Sequence, residues 1–162
     1  MSQPTTVSSL KCAVLRLQDG NLIFPVSLLA ELVTNGKLEE DEGHKLEGWL
    51  LWRSRRVPVI ALETLCMEQQ VNIPASEGKY LILHTVSLCA GLPFIAIRVQ
   101  GGMQIVDLKE DNLRDDYSGN MQRCPYVARQ VRISKLLCLI PDLPAIERTV
   151  AQALNLHSDV VA

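Results

Sequence analysis

The sequence predicts a mainly β protein of small closed sheets, with a short helix after its second strand and another helix near its C-terminal end. Three observations carry this. About nine segments have strand character against two with helical periodicity. Hairpin-type turn signals, Asp19-Gly20-Asn21 and Gly101-Gly102, stand between apolar runs. The stretch from Gly48 to Leu65 holds two apolar runs, Trp49 to Trp52 and Val57 to Leu62, around Arg53, Ser54, Arg55 and Arg56. Neither run alternates, so both of its faces should be covered, and this hairpin with a charged tip is the expected seam between two packed units.

In chain order, Met1 to Ser9 is small and polar and reads as a flexible N-terminal tail before a single domain over residues 10–154. Cys12 to Leu17 alternates, and Leu22 to Val26 returns from the turn as a second strand that Pro25 ends. Ser27 stands at an N-cap position, and Leu28, Leu29, Leu32 and Val33 share one face of a short helix that Asn35-Gly36 stops, with Glu31 off that face. Lys37 to Glu47 is an acidic loop, read as solvated surface because its carboxylates lack the spaced oxygen pattern of a calcium loop.

After the arginine hairpin, Met67 to Gly78 is a polar connector and the expected boundary between two subdomains, near 67–78. Lys79 to Val86, Pro93 to Val99 and Met103 to Leu108 are strands, and in the second of these Arg98 points away from the face of Ile95, Ile97 and Val99. Lys109 to Pro125 is a long polar loop, followed by strands over Tyr126 to Ile133 and Lys135 to Ile140. Asp142 and Pro144 start a helix whose stripe of Leu143, Ile146, Val150, Ala153 and Leu154 should dock on the barrel, leaving residues 155–162 as a tail.

The 162 residues suffice for a real core, and the net charge of -2 supplies no field to gather a polyanion, so nucleic acid is not expected as a partner. Tyr80 to Ile97 carries no Asp, Glu, Lys or Arg, but Gly91 and Pro93 break it, so it reads as two strands rather than a membrane span. A soluble cytoplasmic protein without direct membrane insertion is the expectation. Five cysteines without a Cys-x-x-Cys pair read as reduced core thiols, with Cys124, in a loop between Arg123 and Pro125, the one expected to be reactive.

The chemistry of known catalytic motifs is not in evidence. The cysteine gaps fit no zinc spacing, no glycine-rich loop precedes a helix, and His44, His84 and His157 have no motif around them. No cofactor or metal is expected. A thiol-dependent enzyme pairing Cys124 or another cysteine with a nearby histidine is the alternative to a binding protein. A weaker one is a barrel that stacks single-stranded nucleic acid on Trp49 and Trp52, which needs exposed, coplanar indoles. The unusual feature is the three arginines beside two tryptophans, the residue types enriched at protein interfaces.

Gly48-Trp-Leu-Leu-Trp-Arg53-Ser-Arg-Arg-Val-Pro58-Val-Ile-Ala-Leu resembles the Gly-x-x-Asn-Leu-Arg-Gly-x-x-x-Pro-Val-x-Asp-Leu signature of CheW-like domains, the chemotaxis coupling proteins. Leu22 to Leu32 is similar to the family's second strand and helix, Phe94 to Leu108 to its Val-Asp-x-Val hairpin region, and Leu136 to Ile140 to its closing strand. The resemblance implies a fold of two small intertwined β-barrels. It also implies a non-enzymatic adaptor that joins the regulatory domain of a CheA-type histidine kinase to the cytoplasmic tip of a methyl-accepting chemoreceptor, with recruitment to membrane receptor arrays.

By the same resemblance Arg53 pairs with Glu31 and faces the receptor, and Ser54, Arg55 and Arg56 belong to the partner-binding surface. Three positions depart from the signature: Leu51 for its Asn, Ser54 for its Gly and Ala61 for its Asp. If the Gly position needs a positive φ, Ser54 is disfavoured there by roughly 1 kcal/mol. These departures make the chain similar to the ChpC-type accessory members of type IV pilus chemosensory systems, which implies a role in twitching motility.

Overall fold

Two six-stranded sheets, each curled about an apolar core of its own, pack on one another in the computed structural model of the protein. The structure describes residues 9–17, 20–40, 46–67, 78–87, 91–118 and 124–155. The chain forms β1 (Ser9–Arg16) and β2 (Asn21–Pro25), a 3-10 turn (Val26–Leu28), then β3 (Leu29–Val33), β4 (Leu38–Glu40), β5 (Gly48–Trp52) and β6 (Arg55–Ile60). Helix α1 (Leu62–Met67) leads toward β7 (Tyr80–His84), β8 (Phe94–Arg98) and β9 (Met103–Lys109). β10 (Leu113–Asp115), β11 (Val127–Ile133), β12 (Leu136–Pro141) and helix α2 (Leu143–Ala153) complete the described elements.

The first sheet has the order β10-β11-β12-β2-β1-β9, and the second β3-β7-β8-β6-β5-β4. Each contains one parallel pair, β12 with β2 and β6 with β8, among antiparallel neighbours. The chain passes from the first sheet to the second at Val26–Leu28 and returns between β8 and β9, so β1 and β2 are separated in sequence from the rest of their sheet. The boundary expected near 67–78 falls mostly on residues outside the described ones. The strands on either side of that connector, β6 and β7, lie in one sheet.

Strand periodicity explains how the sequence builds three cores. Val57, Val59, Ile82 and Ala96 fill the concavity of the second sheet, and Cys12, Val14, Ile23, Val131 and Cys138 that of the first. The alternate residues Leu15, Phe24, Ile60, Leu81, Ile95 and Ile97 face the other way and form the largest core, between the sheets. The Val57 to Leu62 run is buried throughout, as a strand between two cores must be. Its partner differs from expectation. β5 does alternate, with Leu50 and Trp52 buried, Trp49 half-buried and Leu51 69% exposed, so an apolar run here is only partly a covered strand.

Helix α2 begins as read. Asp142 caps it by accepting a hydrogen bond from the Ala145 N–H at 3.1 Å, and Leu143, Ile146 and Val150 enter the core between the sheets. The earlier helix does not form. Leu28 ends a 3-10 turn and residues 29–33 are β3, an edge strand with a register shift between Leu29 and Glu31. That bulge places Leu29 and Leu32 toward one core and Ala30 and Val33 toward another, a spacing that imitates one face of a helix. Ser27 accordingly lies within the turn and caps no helix.

Two expected loops hold short strands. β4 sits in the acidic stretch, and β10, after a 3-10 turn at Glu110–Asn112, sits in the polar loop 109–125. The cysteines need a further correction. Cys66 at the end of α1 and Cys124 before β11 form a disulfide, their Cα atoms 5.1 Å apart across 58 residues of sequence, while Cys12 and Cys138 are free and buried. The pairing joins the helix that follows β6 to the loop that enters β11 of the other sheet, a proximity that arises only from the sheet crossing. Cys89 lies outside the described residues.

Candidate functional site

The site is the β5–β6 hairpin and what gathers round it. Gly48 opens β5 where β4 runs alongside, and a Cβ there would lie 2.1 Å from the Glu39 carbonyl oxygen, so only glycine admits this close strand approach. The strands pair from Gly48↔Val59 to Trp52↔Arg55, leaving Arg53 and Ser54 as a two-residue loop with φ of 50° and 64°. Positive φ at both positions is the geometry of a type I′ turn, whose favoured residues are Asn and Gly. Ser54 thus occupies the left-handed conformation that costs a non-glycine residue about 1 kcal/mol.

This turn aims the Arg53 side chain at β3. Glu31 Oε1 accepts hydrogen bonds from Arg53 Nη2 and from the Trp52 indole N–H, each at 3.1 Å. The Arg53–Glu31 ion pair implied by the family resemblance is therefore present, and Glu31 reaches it from an edge strand rather than from a helix. β3 and β5 are separated by three strands within the sheet, so the contact bridges the mouth of the curled sheet. Arg53 also lies over the Trp52 ring, 4.7 Å from its centroid, and is largely exposed.

The other two arginines leave the turn on opposite faces of β6. Arg55 covers Phe94 at 5.5 Å, and Phe94 meets Trp52 edge-on at 4.9 Å and His84 at 5.1 Å. Arg56 covers Trp49 at 4.5 Å, and its Nε lies 3.4 Å from Glu39 of β4. Each arginine therefore rests on an aromatic face, which fixes the planes of the guanidinium groups without using up their outward donors. Trp49 and Trp52 point to opposite faces of β5, and Trp52 is buried, so they do not form the coplanar exposed platform that base stacking requires.

The acidic stretch does more than solvate the surface. Besides Glu39, it contributes Glu47, whose carboxylate meets Arg98 Nη1 at 3.3 Å in a nearly dry pair beneath the hairpin. Arg98 points away from the inter-sheet core, as its strand position requires, and enters the smaller core of the second sheet. Glu147 was not singled out by sequence reasoning. It is buried on α2 and accepts the backbone N–H groups of Val86 and Ser87, both at 2.8 Å, together with the Ser87 hydroxyl. A glutamate directly after Ile146 of the apolar stripe was the available signal.

A thiol site is not assembled among the described residues. Cys66 and Cys124 are bonded to each other. Burial raises the Cys12 thiol, and it pushes Cys138 up to about 11 against the smaller opposing effect of Arg132, so neither supplies thiolate near neutral pH. His84 meets the Phe94 ring at a tilt, while His44 and His157 lie outside the described residues. Among the described residues no cluster of His, Cys, Asp and Glu is arranged to hold a metal, and no helix is long and apolar enough to cross a membrane.

Residues 11–150 match the family model described as CheW-like domain. Among solved structures the fold is similar to that of the scaffolding protein TtCheW from Thermoanaerobacter tengcongensis, with a TM-score of 0.64 and 13% identity over 83% of this chain and 90% of that one. At such identity the likeness concerns the fold. A search of curated proteins finds no match.

Proposed function

The chain belongs to the CheW-like domain family, and on that premise we propose that it is a non-enzymatic adaptor coupling a CheA-type histidine kinase to a chemoreceptor. The observation that carries this reading is the hairpin tip. Arg53 is held by Glu31 and by the Trp52 ring, yet its side chain remains 68% exposed, which is the setting of a pre-ordered docking group rather than of a structural one. Glu31, Arg53, Ser54, Arg55 and Arg56 form the partner-binding surface. Residues 10–154 act as one unit on the cytoplasmic side of a receptor array, binding the kinase regulatory domain and the receptor's cytoplasmic tip.

Within the family we assign the chain to an accessory role in type IV pilus signalling and twitching motility. This finer reading is supported by the departures in the hairpin. Leu51 is exposed where the signature has Asn, Ser54 takes a positive φ where it has Gly, and Ala61 is fully buried where it has Asp. Isothermal titration against the regulatory domains of the CheA-type kinases of the same organism tests both levels. Binding to at least one supports the adaptor, and preference for the kinase encoded with pilus components supports the subtype. Absence of binding to every one, at concentrations where a standard coupling protein binds, contradicts the proposal.

A further inference from the structure

Behind the hairpin lies an open groove of about 430 Å³ that the Arg53–Glu31 pair does not line. Its walls are Trp49, Pro58, Leu92, Pro93, Phe94 and Leu154, and Arg55 and Arg56 reach it from the two faces of β6. The apolar part comes from three places in the chain: the hairpin, the segment entering β8 and the end of α2. Such a volume suits a few side chains and is too small for a folded surface.

The groove's backbone limits how anything can be held there. β6 pairs with β8 only at Val59↔Ala96 and Ile60↔Ile97, so the sheet opens beside Arg55–Pro58, where Pro58 has no N–H to offer. The missing Pro58 N–H interrupts any strand added there, so recognition falls mainly to side chains. The side chains available are aromatic and aliphatic surfaces and two guanidinium groups. Arg55 has no carboxylate partner among the described residues, only the Phe94 face. Arg56 shares Glu39 at 3.4 Å, but both side chains are more than half exposed, and an ion pair of that kind yields readily to a competing carboxylate.

We infer that this groove is a docking site for an extended acidic segment of a partner protein, in which Asp or Glu carboxylates engage Arg55 and Arg56 and a neighbouring bulky apolar residue enters the Trp49–Phe94–Leu154 pocket. Charge complementarity selects this occupant: two cations beside apolar walls match carboxylates beside an apolar side chain. The inference relies on the adaptor reading only in taking the partner to be a protein.

The test pans a displayed library of short random peptides with the full chain, then titrates the selected peptides, acetylated and amidated, by the intrinsic fluorescence of Trp49 and Trp52. The selected sequences should pair Asp or Glu with a bulky apolar residue. Replacing their acids by Gln or Asn, or using Arg55→Ala/Arg56→Ala protein, should weaken binding by about tenfold or more. Lys109→Ala, which removes a cation from the other sheet, should leave it unchanged. Near-ultraviolet circular dichroism of each variant confirms a retained fold, and Arg55→Lys, which keeps the charge but not the fork, should be intermediate.

No enrichment, acid-free sequences, or equal binding to the double variant overturns the inference. Binding of a single-stranded oligonucleotide through the same arginines, with no peptide selected, overturns it in favour of nucleic acid. Titration of the same preparations with the kinase regulatory domain keeps the two readings apart: a groove without peptide but with kinase binding leaves the adaptor standing, and the converse leaves the groove.

Discussion

Glu47 and Arg98 meet at 3.3 Å with side chains 10% and 8% exposed, whereas Glu31 and Arg53 meet at 3.1 Å with side chains 42% and 68% exposed. The residue types and the sheet are the same. In the first pair both groups have lost water, so removing one disturbs a charge that water does not reach. In the second, water can replace either partner, so the pair adds little to stability and its geometry is free to serve a ligand. An ion pair is thus informative about binding only after its solvation is known.

The sharpest way to break this comparison is at the dry pair. Arg98→Ala or Glu47→Ala should lower unfolding free energy by about 3–5 kcal/mol, read from urea midpoints at constant slope. Next is the bond between the sheets. Cys66→Ser, or reduction of the native chain, should cost about 2–4 kcal/mol, because the disulfide closes a 58-residue separation in the unfolded chain. Equal thermal midpoints with and without a reductant would show that the link contributes nothing.

Two smaller effects test the hairpin tip. Ser54→Gly should raise stability by about 1 kcal/mol, since glycine takes the φ of 64° without strain, and a lowered urea midpoint would contradict the turn geometry. Arg53→Ala should change stability by less than about 1 kcal/mol, as an exposed pair allows.

What the sequence made legible followed from local rules. The Asp142 cap and the stripe on α2 are read within one helix, and the β5–β6 hairpin within a few residues, because capping and turn chemistry are short-range. β3 was misread because a bulge mixes two periods, and β4 because an edge strand can be almost wholly polar. The Glu31–Arg53 pair came from a family resemblance, not from spacing. The partners of Glu47, Glu147 and Cys66 lie 51, 60 and 58 residues away; strand order within one sheet brings the first together, and the crossing between sheets the other two.

The central claim is that the hairpin tip is a docking group and not a structural one. Its most direct test is a parallel titration of native and Arg53→Ala protein with the cytoplasmic tip segment of the organism's chemoreceptor, alongside urea unfolding of both. The account predicts an affinity lower by about tenfold or more with nearly unchanged unfolding midpoints. Unchanged affinity together with a loss of about 3 kcal/mol or more in stability would contradict it and place Arg53 beside Arg98 as a structural group.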